Sequence, residues 1–542
     1  MIRIITSLLL FTSFYSYSQV VLRDTTLIWK HHDFTLNDDR SMMAYTTNDD
    51  EISTVSFQAK VIENNLIKLV VVPEYGGRVI SFVYKPTGHE YLYQSECGSP
   101  YGMNDGNFYY DWLMVYGGIF PTFTEPEHGK AWLLPWKYEI VTNDSELVTL
   151  RMSLKDTIDY AAKPGKFNNG MTDITCQVDI SVFANRSTWD FDVTLINNHS
   201  STQNYEYWTC TTLTPGSKIG DTGSPLASKI VAPVDEYFAG WSPSAWIGGY
   251  GSVYDFADID ELGEWSDMGI AYANEIQDNY WGVINQENLE GIFRIADNSA
   301  TPGLKLWTWG KGNVDNNLLD FSNGGADNYI ELWAGTSREF FADAYLVSDE
   351  TKSWTETYMA TTNMTDIKAI NGVCAMNFFW NSEDQSLVYE FNSFDDEANL
   401  KLTIFIENDV TLQKEMAFAE LGIVGSTALE SISVNGYYLV KAIITDEWDA
   451  QILNYEEEVY IDVNSPLETR DQHNLIVYSQ NQNQIIVQGL PGEILVTDIQ
   501  GRIIKQLDHV KETSVITVPQ SGIYIVTMKQ GTNVQSKKLL VR

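Results

Sequence analysis

A histidine close to two tryptophans is the leading candidate for proton-transfer chemistry in this sequence. His128 lies in a Pro-Glu-His-Gly stretch and is followed closely by Trp132 and Trp136. An imidazole exchanges a proton near neutral pH without large tuning, so it can serve as a general acid or base. The sequence therefore predicts catalysis or direct ligand contact for His128. A histidine that only satisfies loop carbonyls is the alternative.

Glu331 is a second candidate, and it interrupts an apolar strand pattern. Its neighbours Ile330 and Leu332 point to one face of a strand, so Glu331 points to the other face. There the carboxylate either lines a binding surface or is merely solvated. In an apolar, aromatic setting, desolvation would raise the pKa of Glu331 and suit it to proton transfer.

Arg78 follows two glycines, Gly76 and Gly77, which allow the backbone to approach a ligand closely. The planar guanidinium matches the geometry of a carboxylate or sulfate, so we expect it to bind an anionic group. A structural salt bridge is the equal alternative. Further candidates are catalytic phenols and groups that bind substrate: Tyr109, Tyr110, Asn107, Trp132, Trp208 and Trp333. For the tryptophans, core packing is the alternative to stacking on a ring.

The elements that must position these residues are predicted to be strands. Short apolar or alternating runs are broken by Gly, Asn, Asp and Pro, and long helical periodicity is nearly absent. A chain of 542 residues is too long for one ordinary core. We predict an all-β protein with a signal peptide at 1–18, a large sandwich at 19–365, an accessory β-sandwich at 366–465 and a small C-terminal β-sandwich at 470–542.

Charge and leader sequence limit the partners. The chain has 73 acidic and 34 basic residues, a net charge of −39, which makes nucleic acid an improbable partner. Arg3 and the short apolar stretch after it are typical of a secretory signal peptide, and no later run approaches the length of a membrane helix. We therefore expect a secreted or cell-surface protein, exported through the periplasm, with no membrane span.

Cysteine and metal chemistry are not expected. The wide, irregular spacing of Cys97, Cys176, Cys210 and Cys374 favours buried free thiols over disulfides. The acidic stretch 255–261 lacks the glycine and terminal glutamate of a calcium loop, so a solvated loop is the better interpretation. Neither a metal nor a cofactor is predicted.

Four ordered motifs of the large block resemble a domain of unknown function related to galactose mutarotase. The motifs are the Gly-Gly-Arg-Val and Gly-His-Glu pair within 69–93, the stretch 117–136 that contains His128, the Tyr-Glu-Tyr-Trp-Thr run at 205–209, and Tyr-Ile-Glu-Leu-Trp at 329–333 with Trp-Thr-Glu at 354–356. The resemblance implies a supersandwich with a sugar cleft, and it places the mutarotase catalytic glutamate at Glu331. Because this fold hosts epimerases, polysaccharide lyases and sugar-binding domains, it does not choose among them.

The C-terminal segment, 474–542, resembles the sorting domain of type IX secretion. The resemblance rests on Asp498 with Gly501-Arg502, on Gly-Ile-Tyr-Ile-Val at 522–526, and on the basic final strand at 537–542. It implies a Bacteroidetes-type cell and the type IX secretion machinery as a partner.

The leading function hypothesis is a carbon-oxygen lyase or dehydratase acting on acidic, uronate-containing oligo- or polysaccharides. Elimination needs a base, a group that neutralises the carboxylate and an acid, and His128, Arg78 and Tyr109 or Tyr110 can supply them. An aldose epimerase with Glu331 as base, a glycoside hydrolase and a non-catalytic glycan-binding protein are the alternatives. The accessory sandwich is predicted to act as a spacer or a glycan-binding module.

Overall fold

The computed structural model describes most of the chain. The described residues are 19–36, 42–46, 50–95, 97–98, 117–125, 128–131, 134–158, 169–218, 226–242, 246–311, 329–395, 399–407, 409–416, 423–428, 435–462, 476–481, 484–488, 492–498, 501–510, 513–520, 522–530 and 533–541. No helix within these ranges is long and apolar enough to cross a membrane.

The large block is built from twenty-four strands in the part of the chain that the structure describes. They are β1 Val21–His32, β2 Phe34–Leu36, β3 Met42–Tyr45, β4 Ile52–Glu63, β5 Ile67–Val72, β6 Arg78–Tyr84, β7 His89–Leu92, β8 Cys97–Gly98, β9 Gly118–Thr124, β10 Lys137–Asn143, β11 Leu147–Lys155, β12 Thr175–Phe183, β13 Thr188–Ile196, β14 Gln203–Lys218, β15 Ser228–Val231, β16 Glu236–Trp241, β17 Val253–Asp255, β18 Gly269–Ala273, β19 Tyr280–Asn285, β20 Glu290–Ile295, β21 Gly303–Thr308, β22 Ile330–Gly335, β23 Ala344–Leu346 and β24 Thr351–Thr362. Two 3₁₀ turns, Phe256–Asp258 and Leu262–Glu264, follow β17.

These strands form a sandwich of two large sheets. Among the described residues, fourteen strands form the first sheet, in the order β17-β16-β18-β21-β22-β14-β7-β6-β5-β4-β1-β8, with β9 on β14 and β6 and β23 on β14. Eight strands form the second, in the order β10-β11-β12-β13-β24-β20-β19-β15. The predicted all-β class with a large sandwich is therefore confirmed.

The core between the sheets follows from the strand period of two. Apolar residues at alternate positions of both sheets meet in one buried cluster, to which Leu69 and Leu332 contribute from the first sheet and Ile180 and Phe191 from the second. The residues between them point outward. On the first sheet this second set is itself buried and aromatic, and it includes Trp208, Tyr272 and Trp333.

A buried ion pair of the second sheet is hydrogen-bonded to the first sheet across the sandwich core. Arg294 Nε on β20 donates to Glu356 Oε2 on β24 at 2.8 Å, and both side chains are 0% exposed. Glu356 also accepts from Thr209 of the first sheet at 2.6 Å and from Trp354 at 3.0 Å. Burial alone would raise the pKa of Glu356, but Arg294 and these donors together lower it. The Trp-Thr-Glu motif is thus a polar tie between the two sheets.

The glutamate of the Gly-His-Glu motif clamps a turn. Glu90 Oε1 accepts from the backbone N–H groups of Phe82 and Leu92 at 2.7 and 3.1 Å, and Glu90 Oε2 accepts from Ser81 at 2.5 Å. Burial raises the pKa of Glu90 to about 7. The motif therefore fixes the β6–β7 hairpin, to which Arg78 belongs.

All four cysteines are described and buried, and none of them forms a disulfide, as the sequence predicted.

Two smaller sheets follow the large sandwich. Their strands are β25 Ala369–Ile370, β26 Cys374–Asn381, β27 Ser386–Ser393, β28 Leu400–Ile406, β29 Asp409–Met416, β30 Ile423–Ala428, β31 Gly436–Thr445 and β32 Gln451–Ile461. Within the described ranges they pair as β25-β26-β27-β30 and β29-β28-β31-β32.

The accessory sheets share a core with the large sandwich. A buried cluster joins Ile284, Phe293 and Met359 of the second sheet to Ala375 and Phe394 of the accessory region. Two hydrogen bonds between Asn392 and the backbone of Thr362, of 2.9 and 3.0 Å, reinforce the contact. The chain up to Asn381 and Gln385–Ile461 accordingly form one compact unit, and residues 382–384 and 462–542 form a second.

The second unit is a small sandwich with its own core. Its strands are β33 Ile476–Asn481, β34 Gln484–Gln488, β35 Gly492–Asp498, β36 Ile503–Val510, β37 Thr513–Thr517, β38 Gly522–Gln530 and β39 Asn533–Val541. In the described part they pair as β33-β34-β37 and β36-β35-β38-β39, and Ile485 and Val526 meet in a buried cluster between them. The Asp498–Arg502 motif closes a turn, because Asp498 accepts from both the backbone N and the side-chain Nε of Arg502.

Candidate functional site

The outward-facing side chains at the middle of the fourteen-stranded sheet form an aromatic face, which we define by Trp208, Tyr272, Lys305, Glu331 and Trp333. Strand alternation places them there, because the intervening residues of β14, β21 and β22 point into the core. Polar groups are buried among these rings, an arrangement that costs free energy unless the groups are hydrogen-bonded or paired.

Glu331 lies within this face and is 8% exposed. Its Oε2 accepts from Trp333 Nε1 at 2.8 Å and from Lys305 Nζ at 3.3 Å. Burial raises the pKa of Glu331, while the charge of Lys305 and the hydrogen bond from Trp333 oppose the shift. The carboxylate therefore lines an aromatic surface and is not simply solvated, and its catalytic role stays a prediction.

Lys305 is the group that the sequence interpretation missed. Lys305 pairs with Trp333 across β21 and β22, and its Nζ lies 3.8 Å from the centre of the Trp333 ring and 5.0 Å from that of Phe340. The ammonium thus combines an ion pair with cation–π contacts. A lysine between two apolar residues, Leu304 and Leu306, was the available signal.

His128 is brought to the same place by its turn. Its half-buried ring lies 5.9 Å from the Trp333 ring, centre to centre, at an interplanar angle of 57°. Since Trp333 also donates to Glu331, one indole contacts both predicted proton-transfer residues. The two strongest sequence candidates therefore meet at Trp333, although they are about two hundred positions apart in the chain.

Arg78 is part of the protein interior. It is 1% exposed and donates to the carbonyl oxygens of Tyr75 and Gly117 at 3.2 and 2.7 Å. Its guanidinium also lies over the rings of Tyr75 and Phe120, at 4.6 and 4.0 Å. These contacts favour a structural role for Arg78 over the predicted recognition of an anionic substrate group.

Two of the three tryptophans predicted to stack on sugars are buried. Trp208 is 0% exposed and Trp333 is 1% exposed. Phe340 packs edge-on against both, at 5.0 and 5.5 Å between ring centres. Gly335 lies directly against Trp208, because an added Cβ there would come within 2.4 Å of the indole. The geometry supports packing for both rings.

Four predicted site residues lie outside the described residues: Tyr109, Tyr110, Asn107 and Trp132. Their roles stay predictions. Among the described residues, no group of three or more His, Cys, Asp or Glu side chains is arranged to hold a metal ion.

A second carboxyl group on the same side of β14 has an altered pKa. Glu206 is 1% exposed, and burial, together with the charges of Asp343 and Glu125, raises its pKa to about 8. Glu206 faces Thr124 across the β9–β14 ladder, and Glu125 follows Thr124 in the chain. Two carboxyl groups thus share a desolvated corner of the sheet, so Glu206 is predicted to be protonated at neutral pH.

This protonation predicts a pH-dependent stability. The pKa of Glu206 in the folded state is raised above its ordinary 4.5, so the folded state keeps a proton that the unfolded state loses. The protonated carboxyl therefore makes its full contribution to the free energy of unfolding below about pH 4.5. This contribution is lost at about 1.4 kcal/mol per pH unit as the pH rises towards 8. We expect Glu206→Gln to flatten this decline in urea unfolding, whereas Glu63→Gln, at the protein surface, should not. An unchanged pH slope in Glu206→Gln would contradict the assignment.

A comparison with known protein families matches part of this chain. Residues 39–208 match a family described as a domain of unknown function, DUF5107. The match includes Arg78, His128 and Glu206 and ends at Trp208, before Lys305 and Glu331.

Several solved structures are similar to this chain at low sequence identity. A TPR-domain containing protein from Parabacteroides distasonis is 18% identical, with a TM-score of 0.52, over 65% of this chain and 57% of that one. A galactose mutarotase-like protein from Clostridium acetobutylicum is 10% identical, with a TM-score of 0.40, over 56% of this chain and 96% of that one. A putative aldose 1-epimerase from Escherichia coli K12 is 12% identical, with a TM-score of 0.37, over 55% and 96%.

Proposed function

We propose that this protein is a carbohydrate-active enzyme that transfers protons on a sugar at the aromatic face. The observation that carries the proposal is the convergence of His128 and Glu331 on Trp333, with the ammonium of Lys305 against the same indole. An imidazole, a buried carboxyl of raised pKa and a fixed positive charge are the groups that acid–base chemistry on a sugar requires.

The first candidate reaction is β-elimination on a uronate-containing glycan. In this scheme His128 removes the proton next to the substrate carboxylate, and a tyrosine, Tyr109 or Tyr110, protonates the leaving oxygen. Arg78 is held by backbone carbonyls, so we assign the neutralising charge to Lys305 instead. A substrate carboxylate would compete with Glu331 for the charge of Lys305. When Glu331 loses this contact it can take up a proton, because burial raises its pKa.

The second candidate is an aldose-epimerase reaction. Glu331 would take the anomeric hydroxyl proton while His128 protonates the ring oxygen, and the shared contact with Trp333 is compatible with both roles. Hydrolysis, with Glu127 or Glu125 and Glu331 as the carboxyl pair, and glycan binding without catalysis complete the alternatives.

A substrate panel separates these reactions. The protein is incubated with acidic algal and plant polysaccharides and with their oligosaccharides, and ultraviolet absorbance reports any unsaturated uronate. Elimination predicts rising absorbance together with new ends, hydrolysis predicts new reducing ends alone, and epimerisation predicts anomeric exchange without chain cleavage. Depletion of a glycan with none of these signals would contradict the enzyme assignment.

We further propose export across the cell envelope with sorting by the second unit. This rests on the leader at 1–18 and on the motifs of 474–542, whose Asp498–Arg502 pair forms a closed turn. Deleting 474–542 should leave purified activity intact, because the unit has its own core and every candidate site residue precedes it. The truncated protein should accumulate in the periplasm, as cell fractionation would show. Loss of activity in a folded truncated protein would contradict this division.

A further inference from the structure

A buried polar hub lies directly behind the turn that carries His128. Lys130 Nζ donates to Asp156 Oδ2 at 2.8 Å, and the two side chains are 3% and 2% exposed. The same oxygen accepts from Thr124 Oγ1 at 2.9 Å, from Thr172 Oγ1 at 2.8 Å and from the backbone N–H of Thr172 at 3.0 Å. Asp156 is therefore fully hydrogen-bonded inside the protein.

The hub joins three separate parts of the chain. Asp156 follows β11, Thr172 precedes β12, and Thr124 ends β9. Backbone hydrogen bonds between Asp156 and Ile174 and between Asp173 and Asp156, both of 2.9 Å, hold the first two segments together. The eight-stranded sheet is thereby connected to the turn on the opposite sheet.

The turn itself is pressed against β9. Gly129 has φ +68°, and a Cβ there would lie 2.4 Å from the backbone N of Phe123. The Lys130 N–H donates to the carbonyl of Phe123 at 3.1 Å. The backbone contacts of Gly129 and Lys130 with Phe123, together with the buried ammonium of Lys130, restrict the position of His128.

We propose that Lys130 and Asp156 are positioning residues that hold the His128 imidazole beside Trp333. The catalytic importance of this positioning rests on the proposed function, whereas the placement of His128 beside Trp333 does not depend on any substrate. The pair acts through the turn backbone, since His128, Gly129 and Lys130 are consecutive. Displacing a proton-transfer group by about 1 Å can cost roughly 10²-fold in rate.

A charge-free replacement separates positioning from stability. Removing one partner alone leaves an uncompensated buried charge, which destabilises strongly, whereas replacing a buried pair by apolar residues of similar volume is often close to neutral. The double variant Lys130→Met/Asp156→Leu removes both charges but leaves the donors of Thr124 and Thr172 without their acceptor, so it is tested together with a milder variant. Thr124→Val is a milder variant that keeps the ion pair and removes one donor, and Thr149→Val, a buried threonine of β11, is its matched control.

The measurement is the ring NMR signal of His128 in protein labelled at histidine, assigned by its loss in His128→Gln. The Trp333 indole is expected to shift this signal by its ring current, and Trp333→Leu, which has no ring, gives the reference shift. We expect the double variant to lose the Trp333-dependent shift while thermal unfolding stays cooperative, and Thr124→Val to shift the signal partway, unlike Thr149→Val. If the double variant does not fold, Thr124→Val alone decides.

Unchanged His128 signals in the folded double variant, or in Thr124→Val, would overturn the positioning role. The signals do not depend on turnover, so this outcome is distinct from a failure of the proposed function. On any substrate that the panel yields, the double variant should lower kcat about 10²-fold with little change in KM. If conditions that restore the stability of the double variant also restore its full kcat, the pair has only a structural role.

Discussion

Replacing His128 by alanine is expected to lower kcat by about 10²- to 10⁴-fold, the usual contribution of a general acid or base. The ring is half-buried and lies beside Trp333, so its loss should change thermal unfolding little. Steady-state kinetics on the substrate found by the panel, together with a melting curve, would measure both effects.

His199→Ala is the matched control, because that histidine is 41% exposed and pairs with Asp173 at the surface. It should leave kcat unchanged. Near-full activity in His128→Ala would show that both proposed schemes are wrong.

Glu331→Gln then separates the two chemistries in the same assay. Epimerisation requires a base at this position and should be abolished, whereas elimination can keep much of its rate with a neutral hydrogen-bonding group there. Because the amide leaves Lys305 without its carboxylate, this variant should also bind anionic glycans more tightly.

The largest expected effect on stability comes from the Arg294–Glu356 pair. Glu356→Gln keeps the side-chain shape but leaves the Arg294 charge uncompensated in a site where both side chains are 0% exposed. We expect the free energy of unfolding to fall by about 3–5 kcal/mol in urea titrations. The control Glu63→Gln removes ion pairs with Arg23 and Lys85 near the protein surface and should cost about 1 kcal/mol or less for each pair. A Glu356→Gln loss as small as that of the control would contradict the structural role of the tie.

The sequence predicted the structural features that depend only on the local pattern of residues. Strand alternation around Glu331 gave its orientation correctly, because the two-residue period depends only on neighbours in the chain. The same pattern predicted the all-β class, and the wide spacing of the cysteines predicted buried thiols outside disulfides. The Pro-Glu-His-Gly stretch identified the turn that carries His128.

What the sequence could not supply depends on partners that are distant in the chain. Arg78 was expected to meet a ligand, but its guanidinium is taken up by the carbonyl of Gly117, which lies on another segment. Lys305 could not be predicted as a site residue, because a single lysine in a strand does not indicate a site by itself. Its role depends on Trp333, which β22 places beside it. The core shared between Phe293 and Phe394 was likewise hidden, since a boundary between domains is inferred from composition and not from contacts.

The position of β24 has a consequence for how the chain acquires its structure. β24 lies between β13 and β20 in the eight-stranded sheet, so the two halves of that sheet have no common ladder until residues 351–362 are available. A ribosome delivers those residues only after more than 300 others, and until then the edges of β13 and β20 are unpaired. Such long-range pairing slows folding and exposes strand edges to aggregation. Nascent chains truncated before Thr351 should therefore remain protease-sensitive, and chains extended beyond Thr362 should become resistant.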